Sequence, residues 1–150
     1  MIRRIKSLKY KILEGIATAD VAYEVYGKTI EELFENAALA VEETMADITM
    51  VKPLLSSKFK VQSSKLDDLL LNYLNQLPFL KDAKQMLFSR FDVKINQLNA
   101  RRYQLDADFL GEKIDPKKHK LRCDVKAVTR HHLEIKRSNN QYIATVVLDI

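Results

Sequence analysis

Apolar residues recur at spacings of three and four over two stretches in the first half of the chain, residues 29–48 and 65–84. This spacing is typical of amphipathic helices. Thr29 followed by Glu32 matches a capping box at the start of the first helix. Pro78 is expected to kink or end the second helix, because proline lacks an N–H and its ring clashes with the carbonyl four residues earlier.

The first helix has a single apolar stripe, which predicts one face packed on the core. Its other side carries acidic residues, and we expect them to face water: Glu31, Glu35, Glu42 and Glu43. From residue 86 onward the period changes to two, which is typical of strands. Strands are predicted over 10–15, 21–27, 50–62, 86–95, 103–112, 120–128, 133–138 and 142–150.

Two of these segments carry further signals. Pro53 predicts that the first half of the strand over 50–62 is an edge or an irregular entry. The sequence "SNNQ" predicts a hairpin between the last two strands. In 86–95, alternation puts Phe88 on one face with Arg90 and Asp92. The pattern as a whole predicts an α+β fold, a mostly antiparallel sheet with two helices packed on one face, forming a single-domain sandwich over residues 1–150.

Composition narrows the class of protein. The chain is 47% hydrophobic and 30% charged, which is typical of globular domains rather than disordered chains. Its single cysteine excludes an internal disulfide framework and a four-cysteine zinc site, and fits a reducing compartment. The basic start is followed by no apolar run typical of a secretory signal, and no run reaches membrane-spanning length. We therefore expect a cytoplasmic protein with no membrane partner.

The positive charge is concentrated in residues 113–137. This segment has nine Lys or Arg against three Asp or Glu, an excess larger than the whole-chain net charge of +5. It could meet RNA, an acidic protein surface or only water. It contains no aromatic side chain to stack on bases, which counts against single-stranded RNA. An RNA-binding or chaperone module for RNA-modifying enzymes is the alternative function.

Catalytic motifs are absent from the sequence. It contains no glycine-rich phosphate loop, nucleophile elbow or HExxH. A metal-dependent hydrolase would need a general base beside its metal, and no candidate is evident. His131 and His132 are adjacent and would point to opposite faces of a strand, so a shared zinc site is not favoured. The absence of these motifs makes an enzyme less favoured without excluding one.

Two carboxylates are candidate metal ligands because of their positions at the ends of predicted strands. Asp20 immediately precedes a strand, and Asp149 lies in the last strand, followed by Ile150 and its α-carboxylate. Oxygen ligands of this kind suit a hard cation such as Ca²⁺ or Mg²⁺, bound weakly because the ligands are few. Alternatively, Asp20 makes an Asx turn and Asp149 is a solvated strand end. We expect the Ile150 side chain to anchor the strand in the core.

Several motifs in family order resemble the archease family, the small protein cofactors of the tRNA-splicing RNA ligase. They are "TADVAYEVYGKTIEELFENAALAV" (18–41), "LFSRFDV" (87–93), "DPKKHKLRCDVKAVTRHHLEI" (115–135) and the terminal "ATVVLDI". The resemblance implies a non-catalytic, metal-binding protein that activates a GTP-dependent ligase. Such a protein promotes guanylylation of the ligase and multiple turnover in tRNA splicing and RNA repair, and meets tRNA indirectly through the ligase.

The resemblance also implies functional residues. The family's calcium ligands correspond to Asp20, Asp149 and Ile150. Its basic, histidine-containing stretch corresponds to His119, Lys126 and His131, which we carry over as contacts with the ligase.

The sequence departs from the family pattern at one place. Many members have a His directly before "TAD", whereas "EGIATAD" has residues 15–17 between Glu14 and Thr18 and lacks that His. Any contribution of the His to the metal loop is absent here or comes from another residue.

Overall fold

The computed structural model describes residues 8–13 and 20–150. Residues 14–19, where the sequence departs from the family pattern, lie outside the described residues. Within the described ranges, no helix is long and apolar enough to cross a membrane.

The chain alternates strands and helices before a run of long strands. The first half contains β1 Tyr10–Leu13, β2 Asp20–Gly27, α1 Ile30–Met45, β3 Ala46–Asp47, a 3-10 turn Ile48–Met50, β4 Leu55–Ser63, α2 Leu66–Leu74 and α3 Gln76–Lys84. The second half contains β5 Met86–Asn99, β6 Arg102–Lys113, β7 Lys120–Leu121, β8 Ala127–Ser138 and β9 Gln141–Asp149.

All strand pairs in the described part of the chain are antiparallel. A four-stranded sheet has the order β1-β2-β9-β8, a three-stranded sheet has the order β4-β6-β5, and β3 pairs with β7. The predicted α+β class with a mostly antiparallel arrangement is confirmed. The strands divide between two main sheets, and α1 packs against strands of both.

Local signals in the sequence explain how the helices begin and break. The Thr29 side chain accepts a hydrogen bond from the Glu32 N–H at 3.0 Å, as predicted for the start of α1. The second helix is interrupted at Asn75, and Pro78 lies in the first turn of α3. A proline is tolerated in a first turn, where its missing N–H has no partner to lose. The predicted kink is therefore confirmed.

One continuous hydrophobic core joins the helices to both main sheets. At its centre is Phe109 of β6, which is fully buried. Four aromatic rings surround it at centroid distances of 5.0–5.5 Å: Phe59, Tyr73, Phe88 and Phe91. Edge and tilted contacts at these distances stabilise a core beyond the area that they bury.

A β-bulge changes the face of β5. The register with β6 shifts between Phe88 and Arg90, which leaves Ser89 without an opposite residue. The extra residue reverses the alternation, so that Phe88 and Phe91 both point into the core. The prediction that Phe88 shares a face with Arg90 and Asp92 is therefore wrong.

The acidic side of α1 is not simply solvated. Three of its carboxylates accept hydrogen bonds from backbone N–H groups of β5: Glu42 from Phe88 (2.7 Å), Glu35 from Val93 (3.1 Å) and Glu31 from Ile95 (3.4 Å). Glu42 is completely buried. Because β5 is an edge strand, its outward N–H groups need partners. The three glutamates can supply them because positions 31, 35 and 42 lie on one side of the helix. The expectation that Glu42 faces water is wrong.

The end of the chain forms the predicted hairpin. Ser138 pairs with Gln141, and Asn139 and Asn140 take φ angles of 50° and 63°, which a two-residue turn of this kind requires. The predicted strand over 120–128 is mostly irregular instead. The N–H groups of residues 122 and 123 bond to the carbonyls of Met45 and Thr44 at the end of α1, and these bonds replace a ladder.

Candidate metal site

The two predicted metal-binding carboxylates lie directly opposite each other. β2 and β9 are the central strands of the four-stranded sheet, and their register pairs Asp20 with Asp149 at one end. Opposed residues of an antiparallel pair have Cβ atoms about 4.5–5.5 Å apart on the same face of the sheet. Two carboxylates at that spacing can share one cation with metal–oxygen distances of about 2.3–2.6 Å.

The pair lies on the outer face of the sheet. Val146 and Leu148 point into the core, so alternation directs Asp149 and its partner Asp20 away from the helices. Both aspartates are half-buried. Each carboxylate is therefore held on a rigid strand while it remains open to solvent.

Ile150 follows Asp149 directly, and its side chain is 37% exposed. The expectation that it anchors the strand in the core is therefore wrong. Leu148, which is fully buried, is the last residue of β9 that packs in the core.

Lys126 belongs to the same end of the sheet. Its N–H donates to the Asp149 carbonyl at 2.8 Å, and the next residue, Ala127, pairs with Asp149. The Lys126 side chain is exposed. The structure thus places Asp20 and Asp149 opposite each other, with Ile150 next to Asp149. Lys126, which is predicted to contact the partner, lies beside them.

The donor set fits a hard cation but is sparse. Within the described ranges, no group of three or more His, Cys, Asp or Glu side chains is placed to hold a metal ion. Ca²⁺ takes about six to eight oxygen ligands. Two aspartates therefore supply only part of a coordination sphere, and water, carbonyl or carboxylate oxygens would have to supply the rest.

His119 is buried, which changes the interpretation of this residue. Its Nδ1 accepts a hydrogen bond from the Asp115 N–H at 2.9 Å, and its Nε2 lies 3.3 Å from Glu112 Oε2. The ring therefore supports the loop that follows β6 from inside, and its role as a contact with the ligase stays a prediction.

Glu112 is a further residue at this loop, and no motif or periodicity in the sequence predicts its role. Both of its oxygens accept from the Lys118 ammonium, at 2.9 and 2.8 Å, and the Lys52 N–H donates to it at 2.6 Å. The pKa of Glu112 is lowered to about 2, chiefly because the carboxylate accepts hydrogen bonds from Lys118. No periodic pattern joins Glu112 to Lys118, because an irregular turn brings them together.

His131 is exposed in an irregular part of β8. The register with β9 shifts between Thr129 and Glu134, so residues 130–133 bulge opposite Val146. The His131 and His132 rings lie with centroids 4.0 Å apart, and His132 has a φ of 58°. The prediction that these side chains point to opposite faces is wrong, because the bulge removes the strand alternation.

The basic segment over 113–137 does not form one stripe of charge. It runs through a loop, β7, an irregular stretch and β8. Several of its cations already have partners within the protein: Lys118 with Glu112, Arg122 with the Glu43 carbonyl, and Arg130 with Asp68. This dispersal weakens the argument for an RNA-binding module.

The fold and the paired aspartates define a small α+β protein with two opposed carboxylates on the outer face of an antiparallel sheet. Residues 10–150 match the family model of the Archease protein family (MTH1598/TM1083). The chain belongs to this family, as the sequence motifs predicted.

Relatives and solved structures agree with this assignment. The archease of Sulfurisphaera tokodaii is 41% identical over 133 residues, covering 89% of this chain and 94% of the relative. The archease of Pyrococcus furiosus is 35% identical over 134 residues, with the same coverage of 89% and 94%.

The solution structure of Methanobacterium thermoautotrophicum protein 1598 superposes with a TM-score of 0.84 at 35% identity, covering 95% of this chain and 99% of that one. A Thermotoga maritima archease, named a possible chaperone, has a TM-score of 0.59 at 20% identity over the whole of both chains, and shows the fold alone.

Proposed function

We propose that this protein is a non-catalytic, metal-binding activator of a GTP-dependent tRNA-splicing RNA ligase. It promotes ligase guanylylation and multiple turnover in tRNA splicing and RNA repair. The single observation that carries the proposal is the register of β2 and β9, which opposes Asp20 and Asp149 on an outer sheet face. Membership in the Archease family supports it.

The proposed cation site consists of the Asp20 and Asp149 carboxylates with the α-carboxylate of Ile150. Bound Ca²⁺, or Mg²⁺ or another divalent cation, would supply positive charge to phosphate oxygens or to acidic groups of the ligase. Because this chain provides few ligands, coordination positions remain for groups of the partner. Central strands hold the two aspartates, so little ordering is needed when the partner docks.

The neighbouring residues fit contact with an anionic ligand. The exposed Lys126 side chain emerges beside Asp149 and can donate to a phosphate oxygen. His131 is exposed on β8 and remains a proposed ligase contact. His119 instead supports the loop from inside. The ligase, and not this chain, provides the catalytic groups, and tRNA is met through the ligase.

The decisive experiment measures ligated product per ligase molecule in the presence and absence of this protein. We expect repeated turnover only in its presence, and loss of that gain in Asp20→Asn and Asp149→Asn. Asp82→Asn, which changes an exposed aspartate on α3, is the matched control and should activate normally. No gain with the wild-type protein would refute activation. Normal activation by Asp149→Asn would remove the site from the mechanism.

Metal binding is tested separately by calcium titration calorimetry and by terbium luminescence. We expect weak binding, with a Kd on the order of 10⁻⁴–10⁻³ M, as for sparse extracellular-type sites. Asp149→Asn, or an extension beyond Ile150, should weaken it further, whereas Asp82→Asn should not. Equal binding by all variants would place the cation elsewhere.

The RNA-binding alternative has its own readout. Salt-titrated binding of tRNA to this protein without ligase should be weak. Tight binding that falls steeply with salt would favour the alternative over the activator.

A further inference from the structure

Helix side chains cover two of the sheet edges but leave a third one open. The β5 edge is occupied by the α1 carboxylates described above. At the β8 edge, the Asn75 amide bonds both the N–H and the carbonyl of Val128, at 2.8 and 3.0 Å. On β4, in contrast, the described part of the chain supplies neither a second strand nor a side-chain hydrogen bond to the outer backbone groups. An open edge of this length is a template for another strand.

The outer face of β4 presents a regular charge pattern. Lys58 and Lys60 are exposed, and their cross-strand partners on β6 are Asp108 and Asp106. Lys60 Nζ lies 3.7 Å from the Asp106 carboxylate, while Asp108 accepts a hydrogen bond from Ser56. Basic and acidic residues therefore alternate from β4 to β6. An added strand would continue the alternation if it placed acidic residues opposite the two lysines.

This pattern disfavours a second copy of β4 as the occupant when the two strands pair in the register centred on Phe59. In an antiparallel pair of β4 strands centred on Phe59, Lys58 of each copy would face Lys60 of the other. Like charges directly opposite each other are destabilising. The two lysines thus disfavour this pairing of two β4 strands, and they favour a strand that carries acidic residues.

The inner face of β4 supplies the complementary apolar half. Phe59 and Val61 pack against the core but are only partly buried, and no strand within residues 8–13 and 20–150 covers their outer flank. Leu54 and Leu55, where the strand begins, are 70% and 47% exposed. A strand with apolar residues between its acidic ones would cover this flank.

We propose that the outer edge of β4 binds an extended segment of a partner protein in which acidic and β-branched residues alternate. The segment adds to the three-stranded sheet as a fourth strand. Its acidic side chains pair with Lys58 and Lys60, and its apolar side chains cover Phe59 and Val61. This surface is on the other main sheet from the aspartate pair and does not depend on the ligase proposal.

The test uses a fluorescein-labelled peptide TVDVDVT, which reads the same in both directions and so does not assume the strand orientation. Fluorescence anisotropy with the full chain should show saturable binding that weakens in about 0.5 M NaCl, because salt screens the pairs. Hydrogen exchange should show protection of β4 amides on binding. The Lys58→Glu/Lys60→Glu variant should bind the peptide about tenfold more weakly, and should bind TVKVKVT in its place.

Three controls make the result specific. Lys94→Glu, on the same face but on β5, should bind like the wild type. Lys58→Gln/Lys60→Gln removes the charges without setting a new carboxylate against Asp106, and should also weaken binding. A peptide N-methylated at every residue should not bind, because it has no N–H group left to donate to the β4 edge.

Several outcomes would overturn the proposal. They are no binding of TVDVDVT at low salt, equal binding by the N-methylated peptide, or binding by both double variants that equals that of the wild type. Sedimentation that shows a dimer dependent on β4 would instead assign the edge to a second copy.

Discussion

Glu42 is the residue whose titration should be most visible in the stability of this protein. It lies in the last turn of α1 with no solvent exposure, and its Oε2 accepts the Phe88 N–H at the β5 bulge. Burial raises the pKa of this carboxyl to about 8, against the smaller opposing effects of the Phe88 hydrogen bond and of Lys81. The protonated form is therefore the one that the fold prefers.

The sign and size of the pH dependence follow from this shift. The unfolded chain releases the Glu42 proton near pH 4.5, whereas the folded chain keeps it to about pH 8. The contribution of Glu42 is thus fully present below pH 4.5 and is lost as the pH rises towards 8. At up to about 1.4 kcal/mol per pH unit, the loss between pH 5 and pH 7 is roughly 2–3 kcal/mol.

The assay compares the wild type with Glu42→Gln by urea denaturation at about pH 5, 6, 7 and 8, at fixed ionic strength. Gln keeps an acceptor for the Phe88 N–H and cannot ionise. The free energy of unfolding of Glu42→Gln relative to wild type should therefore rise by roughly 2–3 kcal/mol from pH 5 to pH 7. Glu134→Gln, at a side chain that is 59% exposed, is the control and should show no such trend. A flat difference between Glu42→Gln and wild type would refute the reasoning.

Three further substitutions test the packing. Gly111→Ala would place a Cβ 1.8 Å from the Leu87 carbonyl oxygen, so it should break the β5–β6 pairing and cost more than about 3 kcal/mol in thermal or chemical unfolding. Asn75→Ala leaves the Val128 N–H and carbonyl without their partner, and should cost about 1–3 kcal/mol with faster hydrogen exchange at Val128. Phe109→Ala should cost about 3–5 kcal/mol by denaturation, and a cost below about 1 kcal/mol would contradict the central position of this ring.

Elements specified by local chemistry were predictable from the sequence. The N-cap at Thr29, the break before Pro78 and the turn at Asn139 and Asn140 each depend on a few neighbouring residues. Such signals act within one turn of backbone, so they can be read without knowing the rest of the fold.

Features that depend on contacts between distant elements were not predictable in this way. The bulge at Ser89 adds one residue to β5 relative to β6, and a period of two cannot reveal a change of face that a partner strand imposes. Likewise, the charge of Glu42 suggested solvent, because periodicity describes a helix alone. Glu42 is buried where it accepts the outward N–H of Phe88 on an edge strand. Only the packed structure shows that this N–H needs a partner.

The candidate site lies between these two cases. The spacing of residues in the sequence does not show that Asp20 and Asp149 lie together. Their pairing was predicted from the resemblance to the family. Ala144, Val146 and Leu148 occupy the core face of β9, so a slip of one residue would expose them and turn Asp149 inward. The burial of these side chains therefore keeps Asp149 and its partner Asp20 on the outer face, where the register of β2 and β9 opposes them.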